Sequence, residues 1–219
     1  LQKNKPISFA KVNKMARTKA FDEEAVLDRA MDIFWTNGYC STSLEDLVTG
    51  LGISRSSMYD TFTDKHTLYL AALKRYRLQT TEKAITMLMK AYPVIPALEA
   101  LLEQIISESV GAKSNNQEHQ KQCVKGCLIV NSMIEFGTSD SEITNFISLN
   151  NEQFVRAIES AIERGQKSGE IANILPAQSL AEFVFNTILG MRVMAKSHPT
   201  RAQLENIVSL TLSCLRSAV

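Results

Sequence analysis

Glycine and proline are scarce in this chain, and the scarcity limits what it can fold into. Nine Gly and five Pro in 219 residues leave long uninterrupted runs. Such runs favour long helices and disfavour a many-stranded β fold, whose turns consume both residues. Apolar spacing agrees. Val26, Ala30, Ile33 and Phe34 fall on one face of a helix over 22–37. Asp22 is a good N-cap, Glu23 and Glu24 follow where the helix dipole favours acids, and Gly38 closes the segment. Thr42 and Glu45 make a Thr-x-x-Glu capping box, so a second helix begins at Thr42 and ends before Gly52. A third runs from a Ser54 cap to about Thr61. A fourth starts near Thr63 and continues through Leu68, Ala72 and Tyr76 towards Lys90. After the break at Tyr92-Pro93-Val94-Ile95-Pro96, helices are expected at about 96–111, 121–136, 141–168, 177–197 and 200–217. Pro176 and Pro199 suit first-turn positions. The expected fold is all-α. A basic arm (1–19) leads into a small helical unit (20–66) and a larger helical body (67–219).

Formal net charge is only +1, but its distribution is uneven. Between Leu1 and Phe21 stand six cations (Lys3, Lys5, Lys11, Lys14, Arg17, Lys19) and no acid. That is an arm suited to phosphate attraction, or a solvated tail. Met15 followed by Ala-Arg-Thr-Lys reads as a natural start, with residues 1–14 as upstream sequence. No apolar run is long enough for a membrane span or a secretory signal. Cysteines at 40, 123, 127 and 214 do not form a disulfide framework in a chain this long, which points to a reduced, cytoplasmic protein.

The segment from Thr42 to Phe62 has the mechanics of a helix-turn-helix. Leu44, Leu47, Val48 and Leu51 turn inward, and Gly52 can adopt the positive φ of a tight turn. Ile53 is buried in that turn. The next helix buries Met58 and Phe62 and leaves Ser54, Arg55, Ser56, Ser57 and Tyr59 outside. A short polar helix start carrying one Arg is what a DNA major groove accepts.

Together with its flanks, the segment resembles the DNA-binding domain of the TetR family of bacterial repressors. The resemblance rests on Phe34-x-x-x-Gly38-Tyr39-x-x-Thr42-Ser43, on Gly52-Ile53-Ser54, and on Met58-Tyr59-x-x-Phe62-x-x-Lys65-x-x-Leu68. Gly126-Cys127-Leu128-Ile129-x-Asn131 adds a weaker match to one branch of the family. The resemblance implies that Thr42 and Ser43 meet a phosphate and that Arg55 reads a base. Ser54, Ser56 and Ser57 would add base or phosphate contacts, and Tyr59 and Lys65 would hold the DNA backbone. Three positions depart from the family's habit: Ser56 stands where Gly is common, Thr61 where His is common, and Val48 where Ala is common. Thr61 stays among the candidate DNA contacts, although the departure puts in doubt the phosphate contact that His would make. From Met15 to His66 there are five cations against nine acids, so the DNA-binding unit is formally acidic.

The resemblance further implies a homodimer formed by helices at about 177–197 and 200–217, and a small-molecule effector in the C-terminal body. Leu180, Phe183, Val184, Thr187, Ile188 and Met191 make the stripe of the first helix. Leu204, Ile207, Val208, Thr211 and Leu215 make that of the second; either stripe can also be ordinary core. Met87, Ile105, Cys127, Asn131, Met133, Phe136, Phe154 and Phe185 are the candidate effector contacts, each equally able to serve as core or, for Asn131, to bridge backbone. His119, Cys123 and Cys127 are spaced four apart. They fit an inert buried thiol, a redox- or electrophile-sensing thiol at Cys123 or Cys127, or a metal site short of ligands. There is no Gly-rich phosphate loop, no Gly-x-Ser-x-Gly elbow and no cofactor motif, so an enzyme is not expected. The remaining alternative is a helical interaction module that has lost DNA binding.

Overall fold

The computed structural model describes residues 21–110 and 125–217, and every regular element among them is helical. In order these are α1 Glu23–Asn37, α2 Leu44–Leu51, α3 Arg55–Phe62, α4 Lys65–Gln79 and α5 Thr81–Lys90. They are followed by α6 Val94–Val110, α7 Leu128–Phe136, α8 Ser141–Ser168, α9 Ala177–Met194 and α10 Arg201–Arg216. A 3-10 turn, Ala195–Ser197, extends α9. Among the described residues no helix is long and apolar enough to cross a membrane.

Local chemistry explains most of these boundaries. The Asp22 carboxylate accepts from the N–H groups of Glu24 and Ala25, and the Gly38 N–H closes α1 on the Phe34 carbonyl. Ser54, Asp64, Asp140 and Thr200 cap α3, α4, α8 and α10 in the same way. Pro176 is the N-cap residue of α9, and Pro199 precedes the Thr200 cap, so each sits just outside its helix rather than in the first turn.

Three expectations are corrected. The cap of α2 is Ser43, not Thr42: Ser43 and Asp46 form the capping box, because Thr42 is buried and spends its hydroxyl on the Gly38 carbonyl at 2.6 Å. The long fourth helix is two helices. Thr80 leaves helical geometry (φ −121°, ψ −78°), and both its N–H and its hydroxyl donate to the Tyr76 carbonyl, at 3.0 and 2.8 Å. Back-bonding of a β-branched Thr onto the preceding turn bends a helix. Finally, α6 begins at Val94, ahead of Pro96, because the Glu170 carboxylate accepts from the N–H groups of Val94 and Ile95, both at 2.7 Å. The expected helix start at 121–124 lies outside the described residues; Lys125–Cys127 are not helical.

Two apolar cores result. One gathers α1–α4 with Leu128, Ile129 and Phe136 of α7 and Ile143 and Ile147 of α8. The other gathers Leu88, α6, the later turns of α8, α9 and α10. α8 runs 28 residues, about 42 Å at the helical rise, and contributes to both. α1 and α4 are further tied by Arg75, which donates to both Asp28 oxygens at 2.8 and 2.9 Å and to Glu24 at 3.3 Å.

Two outcomes follow. Glu170→Ala strips the first turn of α6 of its acceptor and lowers stability by about 1–2 kcal/mol, readable as a shifted urea midpoint. The Asp28 carboxyl is held below its ordinary value near 3.8, chiefly by the Arg75 hydrogen bond, against burial, with help from Gln79. A depressed carboxyl stabilises fully above its unfolded value and loses that contribution as pH falls through the folded one. Asp28→Asn therefore makes the urea midpoint fall less steeply below pH 3.8 than in the wild-type chain; an unchanged acid limb would refute this.

Candidate nucleic-acid interface and effector cavity

Gly52 takes the left-handed conformation (φ 66°, ψ 29°) and swings the chain from α2 into α3 over buried Ile53. Ser54 accepts from the Ser57 N–H at 3.1 Å, and its Oγ lies 2.9 and 2.8 Å from the hydroxyls of Ser56 and Ser57. Three hydroxyls therefore crowd the start of α3. Arg55 is exposed beside them, its guanidinium 5.9 Å from the centre of the Tyr59 ring, and Tyr59 is 38% exposed. Met58 and Phe62 are buried on the opposite face, and Thr61 is half-buried. Beyond α3, Thr63 is held at positive φ (65°) while the Asp64 N–H reaches the Phe62 carbonyl at 2.6 Å. This tight turn places Lys65, with its ammonium 4.2 Å over the Tyr39 ring. The structure thus gathers Ser54, Arg55, Ser56, Ser57 and Tyr59 at the start of α3, while Lys65 stands over Tyr39.

Thr42 does not join them. Its hydroxyl is spent on Gly38, its N–H donates to the Tyr39 carbonyl at 3.2 Å, and it is buried, so neither group is left for a phosphate. Ser43 is exposed, but both its N–H and its hydroxyl donate to Asp46, at 2.8 and 2.7 Å. It meets a phosphate only if that pair opens.

The unit is fastened to α7 and α8 by a second set of contacts. The Glu135 carboxylate accepts from the N–H groups of Tyr39, at 2.9 Å, and Cys40, at 2.6 Å. Tyr69 and Ser132 share a buried hydroxyl contact at 2.7 Å, and His66 Nε2 lies 2.8 Å from Asp140. Burial raises the Tyr69 phenol well above its usual value, keeping it neutral.

A cavity of about 340 Å³ lies between α4, α5, α6, α8 and α9, within the size range of small-ligand sites. Met87, Ile105, Cys127 and Phe154 line it, as the sequence led us to expect. Four expected contacts do not. Phe136 packs on Tyr39 and Tyr69 in the other core, and Asn131 donates to the Lys125 carbonyl at 2.9 Å. Met133 is exposed on the surface, and Phe185 stands outside the lining, edge-on to Phe154 at 6.0 Å. The polar end of the cavity holds Tyr76, Glu108, Cys127 and Arg192. Burial works against the Arg192 charge, yet Cys127, Glu108 and Tyr76 outweigh it and keep the guanidinium above its ordinary value. Burial, then Cys127, raises the Tyr76 phenol. Among the described residues no cluster of His, Cys, Asp or Glu can hold a metal; His119 and Cys123 lie outside them.

The chain is similar along most of its length to known regulators. Residues 26–72 match the family described as bacterial regulatory proteins, tetR family, and residues 98–210 match the tetracyclin repressor-like C-terminal domain. The uncharacterized HTH-type transcriptional regulator YezE of Bacillus subtilis is 31% identical over 205 residues, covering 92% of this chain and all of the relative. The HTH-type transcriptional repressor ComR of Escherichia coli is 30% identical over 196 residues, 90% of each chain. The chain belongs to the TetR family. Among solved TetR regulators, a cysteine-substituted CifR complexed with 26-bp operator DNA superposes with a TM-score of 0.76. It is 25% identical, over 91% of this chain and 99% of that one.

Within this TetR chain, sequence reasoning missed the residues that join its two halves and those at the polar end of the cavity. Glu135 is the only acid between Leu128 and Phe136, and Arg192 the only cation between Ala177 and Met194. Each was a visible signal, since a charge on a largely apolar helix needs a partner. Glu135→Ala should cost about 1–3 kcal/mol and speed amide exchange at Tyr39 and Cys40 selectively. Uniform exchange changes across α1–α4 would count against a local clasp.

Proposed function

We propose that this TetR regulator is a homodimeric repressor that reads operator DNA through α3 and is released by a small molecule in the α4–α9 cavity. It acts as a regulator, not as an enzyme. The reading is carried by the build of the α1–α4 unit. It presents an exposed polar helix start at α3, is fastened to α7 through Tyr39 and Cys40, and shares Tyr76 with the cavity. In this reading residues 20–66 form the DNA-reading unit and 67–219 the sensing and dimerising body, with α4 packed into both.

Arg55 is the base reader. Among the described residues it has no acidic partner, so its fork is free for guanine O6 and N7. Ser56 and Ser57 supply further contacts, Tyr59 and Lys65 hold phosphates, and Ser54 fixes the helix start. The dimer forms through α9 and α10. Leu180, Val184, Ile188 and Met191, like Leu204, Val208, Thr211 and Leu215, are spent on the protomer's own core. The face left for the partner carries Phe183, Val193 and Leu210, all exposed, with Gly190 open between the first two. A two-fold axis there sets two recognition helices about one DNA turn apart. An effector that prefers the other setting of the two halves by a few kcal/mol empties the operator. ComR is named a repressor and CifR was captured on operator DNA, in keeping with this role.

A second reading is favoured by the place of Cys127 beside Tyr76 and Arg192. There the signal is an electrophile rather than a reversibly bound ligand. The Cys127 thiolate adds to an activated C=C bond: the S–C bond forms, the π bond opens, and the neighbouring carbon takes the proton. Cys123, the other candidate thiol, lies outside the described residues.

Arg55→Ala should weaken operator binding by about 1–3 kcal/mol and relax preference at one base pair. Tyr59→Phe should weaken all duplexes evenly. Anisotropy titrations against single-base-pair variants distinguish the two. Affinity should fall steeply from low to moderate salt; a flat salt response, or no duplex bound at low salt, would reject DNA reading.

A further inference from the structure

Lys125–Cys127 form a short non-helical strap ahead of α7 that touches three parts of the molecule. Towards α1, the Lys125 carbonyl accepts from Trp35 Nε1 at 3.1 Å. The Lys125 ammonium pairs with Asp32 and lies 5.6 Å from the centre of the Trp35 ring. Towards α9, Gly126 adopts φ +68° and is packed so closely that a Cβ would meet Lys196 and the Arg192 carbonyl at 3.3–3.4 Å. Towards the cavity, Cys127 forms part of the wall beside Tyr76, and the Tyr76 ring meets Trp35 edge-on at 5.0 Å. Trp35 therefore holds two adjacent pieces of the cavity wall, one by its ring and one by its N–H.

We propose that Trp35 is the positioning residue that couples cavity occupancy to the setting of α1, and through α1 to the recognition helix. This rests on the reading that the cavity controls DNA binding. A group bonded to Cys127 that outgrows the space beside it presses on the strap or on Tyr76, the two pieces of wall next to it. Towards α9 the strap is backed by the Arg192 carbonyl and the Lys196 side chain, which lie close to Gly126. The pressure passes instead to the Lys125 carbonyl and the Tyr76 ring, and both end on Trp35. The coupling thus enters the reading unit through α1 as well as along α4.

Linkage makes this measurable without knowing the natural effector. If occupancy at Cys127 changes DNA affinity, bound DNA changes the ease of occupying Cys127 by the same free energy. The probe is N-ethylmaleimide, on protein carrying Cys40→Ser, Cys123→Ser and Cys214→Ser, with a duplex selected in vitro for tight binding. Alkylation of Cys127 should change duplex affinity, the coupled equilibrium quantity, by at least about threefold. Trp35→Phe keeps a ring against Tyr76 but removes the N–H. It should shrink that change towards unity while leaving DNA affinity of the unmodified protein nearly intact. Asp32→Asn, at an exposed site, should reduce the change partially and serves if Trp35→Phe fails to fold. Because Trp35 is the only tryptophan, alkylation of the parent protein should also shift its emission. A full change in affinity on alkylation persisting in Trp35→Phe, or in Asp32→Asn where that variant is used, overturns the role of Trp35 while sparing cavity control. No change in affinity on alkylation of the parent protein overturns cavity control, and this proposal with it.

Discussion

The carboxylate of Glu135 is the interaction on which the arrangement of the two halves depends. It sits on α7, in the body of the protein, yet its two oxygens are spent on the turn that leads from α1 into the helix-turn-helix. Two N–H groups of one turn, from Tyr39 and Cys40, converge on it. The same carboxylate lies so close to Gly38 that a Cβ there would approach it to 3.2 Å. The turn and the carboxylate therefore fit only one way. A charged acceptor with two backbone donors is stronger and more directional than an apolar contact of the same area. It fixes where α2 and α3 point relative to α7.

Around that clasp four rings close the interface. Phe34 meets Tyr69 edge-on at 4.8 Å, Tyr39 lies 5.0 Å from both Tyr69 and Phe136, and Tyr69 lies 5.4 Å from Phe136. Each such pair adds about 0.5–1.5 kcal/mol beyond its buried area. The Tyr69 hydroxyl is satisfied by Ser132, so the cluster carries no unpaid polar group. A contact of this kind has discrete arrangements rather than a continuous range. α7 and the α1–α4 unit are therefore best regarded as one body with identifiable edges. One is the bend at Thr80 between α4 and α5; another is the strap at 125–127. Both border the cavity. A ligand there acts at these edges, not where the two halves are bolted together.

Helix content, the long span of α8 and the turn at Gly52 were legible in the sequence, because periodicity, caps and a left-handed glycine are local signals. Arg55, Tyr59 and the serines of α3 were legible because that helix alternates a buried face with a polar one. What failed was long-range. Thr42 and Ser43 are both plausible caps by type, and only the burial of Thr42 against Gly38 decides between them. The bend at Thr80 depends on one side chain competing for the Tyr76 carbonyl. Phe136 and Asn131 were read as effector contacts on type alone. The first belongs to the ring cluster, and the second is spent on the Lys125 carbonyl. Tyr76 and Arg192, at the polar end of the cavity, come from helices far apart in sequence, and no local pattern joins them.

The acidic balance of the reading unit, awkward for a DNA binder, has a structural answer. Most of its acids are already occupied. Asp22, Asp46 and Asp64 accept from helix N-termini. Glu24 and Asp28 share Arg75, and Asp32 pairs with Lys125. Arg75 and Lys125 both lie beyond residue 66, so a count that stops there sees the acids and misses their partners. The charges that tie α1 to α4 and to the strap are thus counted as repulsion although they are paired. Asp60 is exposed on α3 itself, and Asp46 competes with any phosphate for Ser43. These two acids weaken contact with any backbone, whatever its sequence. In the proposed reading, affinity is then left to Tyr59 and Lys65 on the backbone and to Arg55 on the base it reads. A unit built this way trades non-specific binding for selectivity, since repulsion applies to every duplex and compensation only to the right one.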